Sequence, residues 1–390
     1  MRQFDSRTGG PGFASRLAAL YAALFILSGI QLPFFPVWLK AKGLDAGMIG
    51  LVLAAPILAR ALAVPPISKS ADRHDAIRAA IVATCVMSVA GYVLVGLAEG
   101  ALAIFVAFTL ASLAMTPVMP LTETYALKGL SARGRAYGPV RLWGSLAFIA
   151  GSFAAGGFAD ILPARHLIWL LVGASVIAAL AAFSLAPLAT GAVWASAGAE
   201  PPRRLLRDKA FIAVVAAASL IQASHAVYYG FSAVAWRAAG FDGVAVASLW
   251  AIGIIAEIVL FAVSARLPPS LTPTVMLLIG AAGAVLRWAA MAFDPPAAAL
   301  PFLQVLHALS FGATHLGTLV FVSRHAALGQ AATAQGYLAI AVGTAMAGGF
   351  GVSGLLYGAF GPAAYAAMAL AAVAGGACAG VAHHAARVLR

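Results

Sequence analysis

The stretch WASAGAEPPRRLLRDK at residues 194–209 forms most of the longest polar interruption in this chain, about 188–209. Apolar runs close to the length of a membrane-spanning helix recur on both sides of it. Six runs precede the interruption and six follow it. The pattern predicts an all-α membrane protein with twelve spanning helices, divided into a six-helix bundle at 1–187, a cytoplasmic linker at 188–209 and a second six-helix bundle at 210–390.

The composition requires lipid as the solvent of these helices. Of the 390 residues, 63% are hydrophobic and 9% are charged, and the mean hydropathy is +0.97. A soluble domain is about half apolar and about a quarter charged. The composition therefore excludes cytosolic enzymes, nucleic-acid binders and secreted disulfide scaffolds. Cys85 and Cys378 lie in apolar runs without metal-ligand spacing, so no metal or cofactor is expected.

The net charge of +12 indicates orientation rather than a nucleic-acid partner. Most Lys and Arg residues fall in loops on the side of the N-terminus, and the opposite loops hold only Lys40, Lys42, Arg165 and Arg237. By the positive-inside rule both termini are cytoplasmic, as in a multi-pass protein of a bacterial-type inner membrane. The expected partners are a small-molecule substrate, protons and the lipid bilayer, with no nucleic acid.

Weak internal similarity supports a duplication of the two bundles. AYGPVRLWGSLAFIAG at 136–151 resembles AQGYLAIAVGTAMAGG at 334–349. Two such halves resemble the major facilitator superfamily, whose substrate cavity lies at the interface of the halves. The loop ISKSADRHDAIR partly matches that superfamily's loop signature, and the match implies a conformational role for Asp72 and Arg73. A solvated positive-inside loop is the alternative.

Ionisable residues inside the predicted spans are the main functional signal. Each costs roughly 2.5–3.5 kcal/mol on insertion scales, so such residues usually face a cavity and have partners. The set is Arg60, Glu123, Arg141, His225, Glu257, Arg287, His307 and His315.

Two of these residues lie at matching depth. Glu123 and Arg141 are each about five residues from the inner end of their spans, so they can form an ion pair or hold a substrate together. A purely structural pair is the alternative.

Glu257 lies near the middle of its span, where a desolvated carboxyl can exchange protons and couple them to transport. The alternative is a permanent strut between Glu257 and Arg287. His307 and His315, eight residues apart, are candidates for proton relay, or for plain hydrogen bonds in a helix interface.

The segment QASHAVYYGF places hydrogen-bonding groups beside aromatic faces at mid-membrane. Gln222 and His225 are one turn apart, and Tyr228 and Tyr229 follow. This combination suits a small ring-bearing substrate, although a packed aromatic stripe would give the same pattern. Trp250 shares a helix face with the acid seven residues later and is expected to line the same cavity.

The segments YGPVRLWGSLAFIAGS, HAVYYGFSAVAWRAAGF, LWAIGIIAEIVLF and LQVLHALSFGATHL closely resemble the 3-phenylpropionate permease family of the major facilitator superfamily. So do PLTE at 120–123 and LRW at 286–288. The resemblance covers essentially all twelve predicted spans. It implies uptake of small, often aromatic, organic acids with protons.

A more distant resemblance is to lactose permeases. It implies that Glu123, Arg141 and Glu257 touch substrate, while Arg287 and His307 serve proton movement. The acid that lactose permeases carry one turn after the helix-ten histidine is absent, so the resemblance leaves the proton carrier open between the two glutamates.

These observations predict a secondary transporter that imports a small organic acid with H⁺, and no enzymatic activity. One alternative is proton symport of a neutral sugar or nucleoside. Another is a non-transporting membrane receptor or assembly factor on the same fold.

Overall fold

The computed structural model describes residues 12–74, 76–188, 202–325 and 331–388. Over these residues the chain is helical and contains no strand, which confirms the all-α prediction. The α-helices, in chain order, are α1 Gly12–Ala41, α2 Ala46–Arg73, α3 Ile77–Leu97, α4 Ala101–Met115, α5 Val118–Ser131, α6 Tyr137–Ile161, α7 Ile168–Phe183, α8 Lys209–Ala223, α9 Ala226–Ala238, α10 Gly243–Val263, α11 Pro273–Ala292, α12 Leu300–Val305, α13 Thr314–His325, α14 Ala331–Phe360 and α15 Tyr365–Val388.

Eleven helical stretches among the described residues are long and apolar enough to cross a membrane. The last of them, Thr333–Ala385, contains most of α14 and α15, which a 3₁₀ turn at Gly361–Ala364 separates. Helices satisfy their own backbone hydrogen bonds, which lipid cannot do. The number of twelve spans and the cytoplasmic termini stay predictions.

Three predicted spans are interrupted in the structure. Between α4 and α5, Pro117 lacks the N–H that would continue the first helix. Between α8 and α9, the hydroxyl of Ser224 donates to the carbonyl of Ile221 at 2.6 Å, and such side-chain bonds compete with the helix ladder. Between α12 and α13 runs a π-helical segment, Ala308–Ala313, a feature often found at functional sites.

By packing, the chain forms two compact units. The first contains the described residues of Met1–Leu44, Leu58–Val193 and Phe241–Ala247. The second contains those of Asp45–Ile57, Trp194–Gly240 and Ser248–Arg390.

Small residues bring α1 and α6 together in the first unit. The hydroxyl of Ser152 donates to the carbonyl of Gly29 at 2.9 Å. A methyl group added at Gly151 would lie 2.5 Å from the carbonyl oxygen of Ile26. Close backbone approach of this kind is how membrane helices associate, and it places the middle of α6 against the middle of α1.

At the start of α8 in the second unit, Asp208 caps the helix and also binds the end of α13. Its Oδ1 accepts from the backbone N–H groups of Ala210 and Phe211 at 2.8 and 3.1 Å. Its Oδ2 lies 2.6 Å from Nε2 of His325. Burial raises the pKa of the Asp208 carboxyl, but the hydrogen bonds from His325 and from the two backbone groups outweigh burial, so this pKa lies below its ordinary value.

Candidate functional site

The first unit contains one group of charged and aromatic side chains, which we call the first-unit cluster: Tyr21, Phe25, Glu123, Tyr137 and Arg141. Nε of Arg141 lies 3.7 Å from Oε1 of Glu123, and each side chain is about one-third exposed, at 31% and 32%. The predicted meeting of these two charges is confirmed. The hydroxyl of Tyr137, at the first position of α6, donates to Oε2 of Glu123 at 2.5 Å.

The Arg141 guanidinium rests on aromatic rings of α1. Its central carbon lies 4.0 Å from the ring centroid of Phe25 and 5.7 Å from that of Tyr21. A guanidinium has five N–H donors, so a loose contact at Nε leaves donors for a second carboxylate. The cluster can therefore offer a forked cation beside an apolar surface, which is the chemistry that an aromatic carboxylate requires.

The second unit contains a more deeply buried group, which we call the second-unit cluster: Tyr228, Glu257, Arg287, Trp288, Gln304 and His307. The side chains of Arg287 and Gln304 are fully buried, with 0% exposure. The Arg287 guanidinium lies between the rings of Tyr228 and Trp288, at 4.4 and 4.6 Å from their centroids. Its Nη2 donates to Oε1 of Gln304 at 2.5 Å. The chain thus holds a buried cation between two aromatic faces and an amide.

The contact between Arg287 and His307 decides where the histidine carries its proton. Nη1 of Arg287 lies 3.1 Å from Nδ1 of His307. Because a guanidinium can only donate, Nδ1 must accept, and the proton of the neutral imidazole is on Nε2. That Nε2 lies 3.5 Å from Oε2 of Glu257. The described contacts therefore place His307 between Glu257 and Arg287. The direct strut between Glu257 and Arg287 stays an alternative.

His225 is enclosed in the same unit and both of its ring nitrogens are engaged. Nδ1 lies 3.1 Å from the carbonyl oxygen of Ile221 and must donate to it, so Nε2 accepts from the hydroxyl of Ser310 at 3.1 Å. The side chain is fully buried and its ring meets Trp288 edge-on at 5.0 Å. Its predicted contact with substrate stays a prediction.

The predicted aromatic residues do gather. The ring of Tyr228 stacks on that of Trp250 at 4.8 Å, and Tyr229 lies 5.9 Å from the same indole. Tyr228 and Trp250 are buried, whereas Tyr229 is partly exposed. Of the three, Tyr229 is the most accessible to a ligand.

His315 and His307 both stack on the ring of Phe311, but their surroundings differ. The ring of Phe311 stacks with His307 at 5.2 Å and with His315 at 5.8 Å. His307 is buried, but His315 is exposed and lines a cavity together with Gln222. The side chains of Asp72 and Arg73 lie outside the described residues.

Sequence reasoning missed Tyr137, Gln304 and Trp288, because it searched for ionisable residues inside spans. A usable signal existed for two of them. Gln304 precedes His307 by three residues and Tyr137 precedes Arg141 by four, so each lies about one helical turn before a selected residue and shares its face.

Several known proteins are similar to this chain. The sequence model of the MFS_1 like family matches residues 14–367. A probable 3-phenylpropionic acid transporter of Escherichia coli (strain K12) is 33% identical over 365 residues, 92% of this chain and 94% of that protein. A maltose permease of Geobacillus stearothermophilus is 27% identical over 281 residues, 71% and 70% of the two chains.

Two solved structures share the fold. The nucleoside transporter NupG superposes with a TM-score of 0.82 at 17% identity, over 97% of this chain and 99% of that one. A bacterial homologue of the human lysosomal transporter Spinster, inward-facing and occupied, superposes with a TM-score of 0.73 at 15% identity, over 96% of each chain. The predicted major facilitator fold is confirmed.

Proposed function

We propose that this chain, which belongs to the MFS_1 like family, takes up a small organic acid together with protons across the cytoplasmic membrane of a bacterium. Its relatives are carriers rather than enzymes, and it is a multi-pass membrane protein of the same kind. The proposed substrate is a monocarboxylate with an aromatic or apolar body, similar to phenylpropionate. The relative from Escherichia coli, named a probable 3-phenylpropionic acid transporter, supports this choice.

The observation that carries the proposal is the setting of Arg141. Its guanidinium is part exposed, lies 4.0 Å from the Phe25 ring and is only loosely paired with Glu123, at 3.7 Å. A substrate carboxylate can bind the free edge of this cation in a two-pronged arrangement, and the apolar body can extend over the neighbouring rings. Tyr137 keeps Glu123 hydrogen-bonded when the substrate shares the arginine.

The proton is assigned to Glu257 in the second unit. Its carboxylate faces the Nε2–H of His307, whose other nitrogen is occupied by Arg287. Protonation of Glu257, whose side chain is 17% exposed, removes a negative charge from this partly enclosed site. Loss of the charge lowers the free-energy cost of moving the carboxyl group into a different environment as the transporter alternates between its two access states. In this assignment Arg287 and His307 position the proton-accepting carboxylate.

A second candidate is proton symport of a neutral sugar or nucleoside. It is supported by the 27% identity to a maltose permease. A neutral solute would use Glu123 as a hydrogen-bond acceptor for hydroxyl groups and would leave Arg141 as its counter-charge.

Uptake into proteoliposomes with an imposed inward proton gradient tests the proposal. We expect accumulation of radiolabelled 3-phenylpropanoate, and inhibition of this uptake by other aromatic monocarboxylates but not by maltose or nucleosides. Arg141→Lys keeps the charge but removes the fork, so KM should rise roughly tenfold, since a lost charge-assisted bond is worth about 1.4 kcal/mol or more. Arg165→Lys, on an exposed residue between α6 and α7, is the matched control.

Inhibition by sugars or nucleosides, with no effect of any aromatic acid, would replace the proposal with the second candidate. Equal kinetics of Arg141→Lys and Arg165→Lys would remove Arg141 from the substrate site.

A further inference from the structure

The second unit contains a cavity of about 180 Å³ between α8, α13 and α14. Most of its wall is apolar, and four polar side chains line it: Gln222 of α8, His315 and Thr318 of α13, and Gln335 of α14. Of the described residues that line it, none is acidic, lysine or arginine. The cavity is far larger than the roughly 30 Å³ that one water molecule occupies in the liquid.

Three of these polar side chains have no hydrogen-bonding partner among the described residues. Among the described residues, neither the amides of Gln222 and Gln335 nor the imidazole of His315 makes a side-chain hydrogen bond, whereas the Thr318 hydroxyl donates to the carbonyl of Thr314 at 2.7 Å. Gln222 is only 7% exposed. The Gln222 amide faces the cavity and no described residue takes up its hydrogen-bonding capacity, so it can bind a ligand there.

A second cavity provides the comparison. In the first unit, a cavity of about 250 Å³ is also lined by an amide, Gln31. That amide is already engaged, because its Oε1 accepts from the hydroxyl of Tyr92 at 2.6 Å. Two of the serines on its wall, Ser28 and Ser88, donate to carbonyls of their own helices at 3.0 and 2.7 Å. The oxygen of the Gln31 amide and these two serine hydroxyls are thus used internally.

The internal sequence similarity gives an independent indication that the position of Gln335 presents a hydrogen-bonding group. In the alignment of 136–151 with 334–349, Gln335 occupies the position of Tyr137. Tyr137 is a member of the first-unit cluster, where it donates to Glu123. The equivalent position in the second unit therefore also presents a hydrogen-bonding group, here to an open cavity.

The chemistry of the lining selects the ligand group. Each amide offers both donors and acceptors, and a neutral imidazole offers one of each. With no fixed positive charge among the lining residues, a second carboxylate would lack a counter-ion, whereas a hydroxyl can donate and accept at once. We propose that Gln222, His315 and Gln335 form a hydroxyl-recognition subsite, so that the transported acid carries a ring hydroxyl. This inference rests on the proposed function.

Paired inhibitors test the subsite. The inhibition constants of 3-phenylpropanoate and of its 3-hydroxyphenyl and 4-hydroxyphenyl analogues are measured against proton-driven uptake in proteoliposomes. We expect at least one hydroxylated acid to bind wild type about tenfold more tightly than the unsubstituted acid, from one or two neutral hydrogen bonds. Gln335→Leu and Gln222→Leu should each reduce that ratio to roughly 1–3.

Gln31→Leu, the same substitution at an amide already in use, is the control and should keep the wild-type ratio. Binding of the unsubstituted acid shows that each variant is folded. A ratio near 1 in wild type, or one that Gln335→Leu and Gln222→Leu leave intact, overturns the subsite while the proposed function stands. If no aromatic acid inhibits at all, both the proposed function and the subsite fail.

Discussion

Replacing Gln304 with leucine removes one of the two acceptors that Arg287 uses inside the second-unit cluster. Both side chains are 0% exposed and the bond is 2.5 Å long, so no water replaces the lost partner. Hydrogen bonds to charged groups are worth about 1.5–3 kcal/mol, and leucine has a similar volume that avoids a cavity. We expect a loss of about 2–3 kcal/mol, which for a unit of this size lowers Tm by roughly 5–10 °C.

Thermal unfolding of the purified protein in detergent measures this shift. Gln31→Leu is the matched control, because its amide is partly exposed and accepts from the neutral hydroxyl of Tyr92. Its Tm should fall by less than half as much, since neutral hydrogen bonds are worth about 0.5–1.5 kcal/mol. A double-mutant cycle of Gln304→Leu with Arg287→Met should give a coupling energy of about 1–3 kcal/mol. Equal shifts for the two leucine variants, or additive effects in the cycle, would refute the reasoning.

Two further predictions concern helix packing and a helix cap. Gly151→Ala should lower Tm by several degrees, because the added methyl would lie 2.5 Å from the carbonyl oxygen of Ile26. The control is Gly157→Ala on the same helix, which meets nothing within 4 Å and should not change Tm. Equal Tm values for the two variants would contradict this packing. Asp208→Ala should cost about 1 kcal/mol of stability, and Asp208→Asn should cost less because asparagine also caps helices. Because its folded-state pKa is lowered, the Asp208 carboxylate stabilises the fold at pH values above its ordinary pKa of 3.8, and this contribution is lost as the pH falls through the lowered value. Tm measured between about pH 3 and about pH 7 should therefore fall less steeply at acid pH in Asp208→Asn than in wild type, and parallel curves would exclude the effect.

The helices could be predicted from the sequence because the signal for them is local. Lipid forces each apolar run into a helix that satisfies its own backbone, so a helix such as α3, Ile77–Leu97, follows directly from hydropathy. The interruptions were harder, since Pro117 is visible in the sequence but the break at Ser224 depends on how a hydroxyl bonds in three dimensions. The π-helical segment at Ala308–Ala313 has no comparable signal in the sequence.

The charged residues of the candidate site could be predicted from the sequence, whereas its neutral residues could not. The free-energy cost of placing an ionisable side chain in a membrane span identifies Arg287 and His307 as candidates. The similar depths of Glu123 and Arg141 in their spans predict that these two side chains meet. The route from Glu257 through His307 depends on the relative positions of three helices, which the sequence does not encode locally. A neutral amide side chain costs less to insert into a membrane than a charged one, so this cost does not identify residues such as Gln304 in the sequence.

Glu257→Gln provides the most direct test of proton coupling. Glu257 is the acid assigned to the proton, and the glutamine is a neutral mimic of its protonated state. The test compares two activities in the same proteoliposomes: accumulation of substrate driven by a proton gradient, and exchange of labelled for unlabelled substrate without a gradient. Glu99→Gln, at an acid whose side chain is 82% exposed and paired with Lys42, is the control. We predict that Glu257→Gln exchanges substrate but does not accumulate it, while the control does both. Accumulation by Glu257→Gln at the wild-type level would contradict the account.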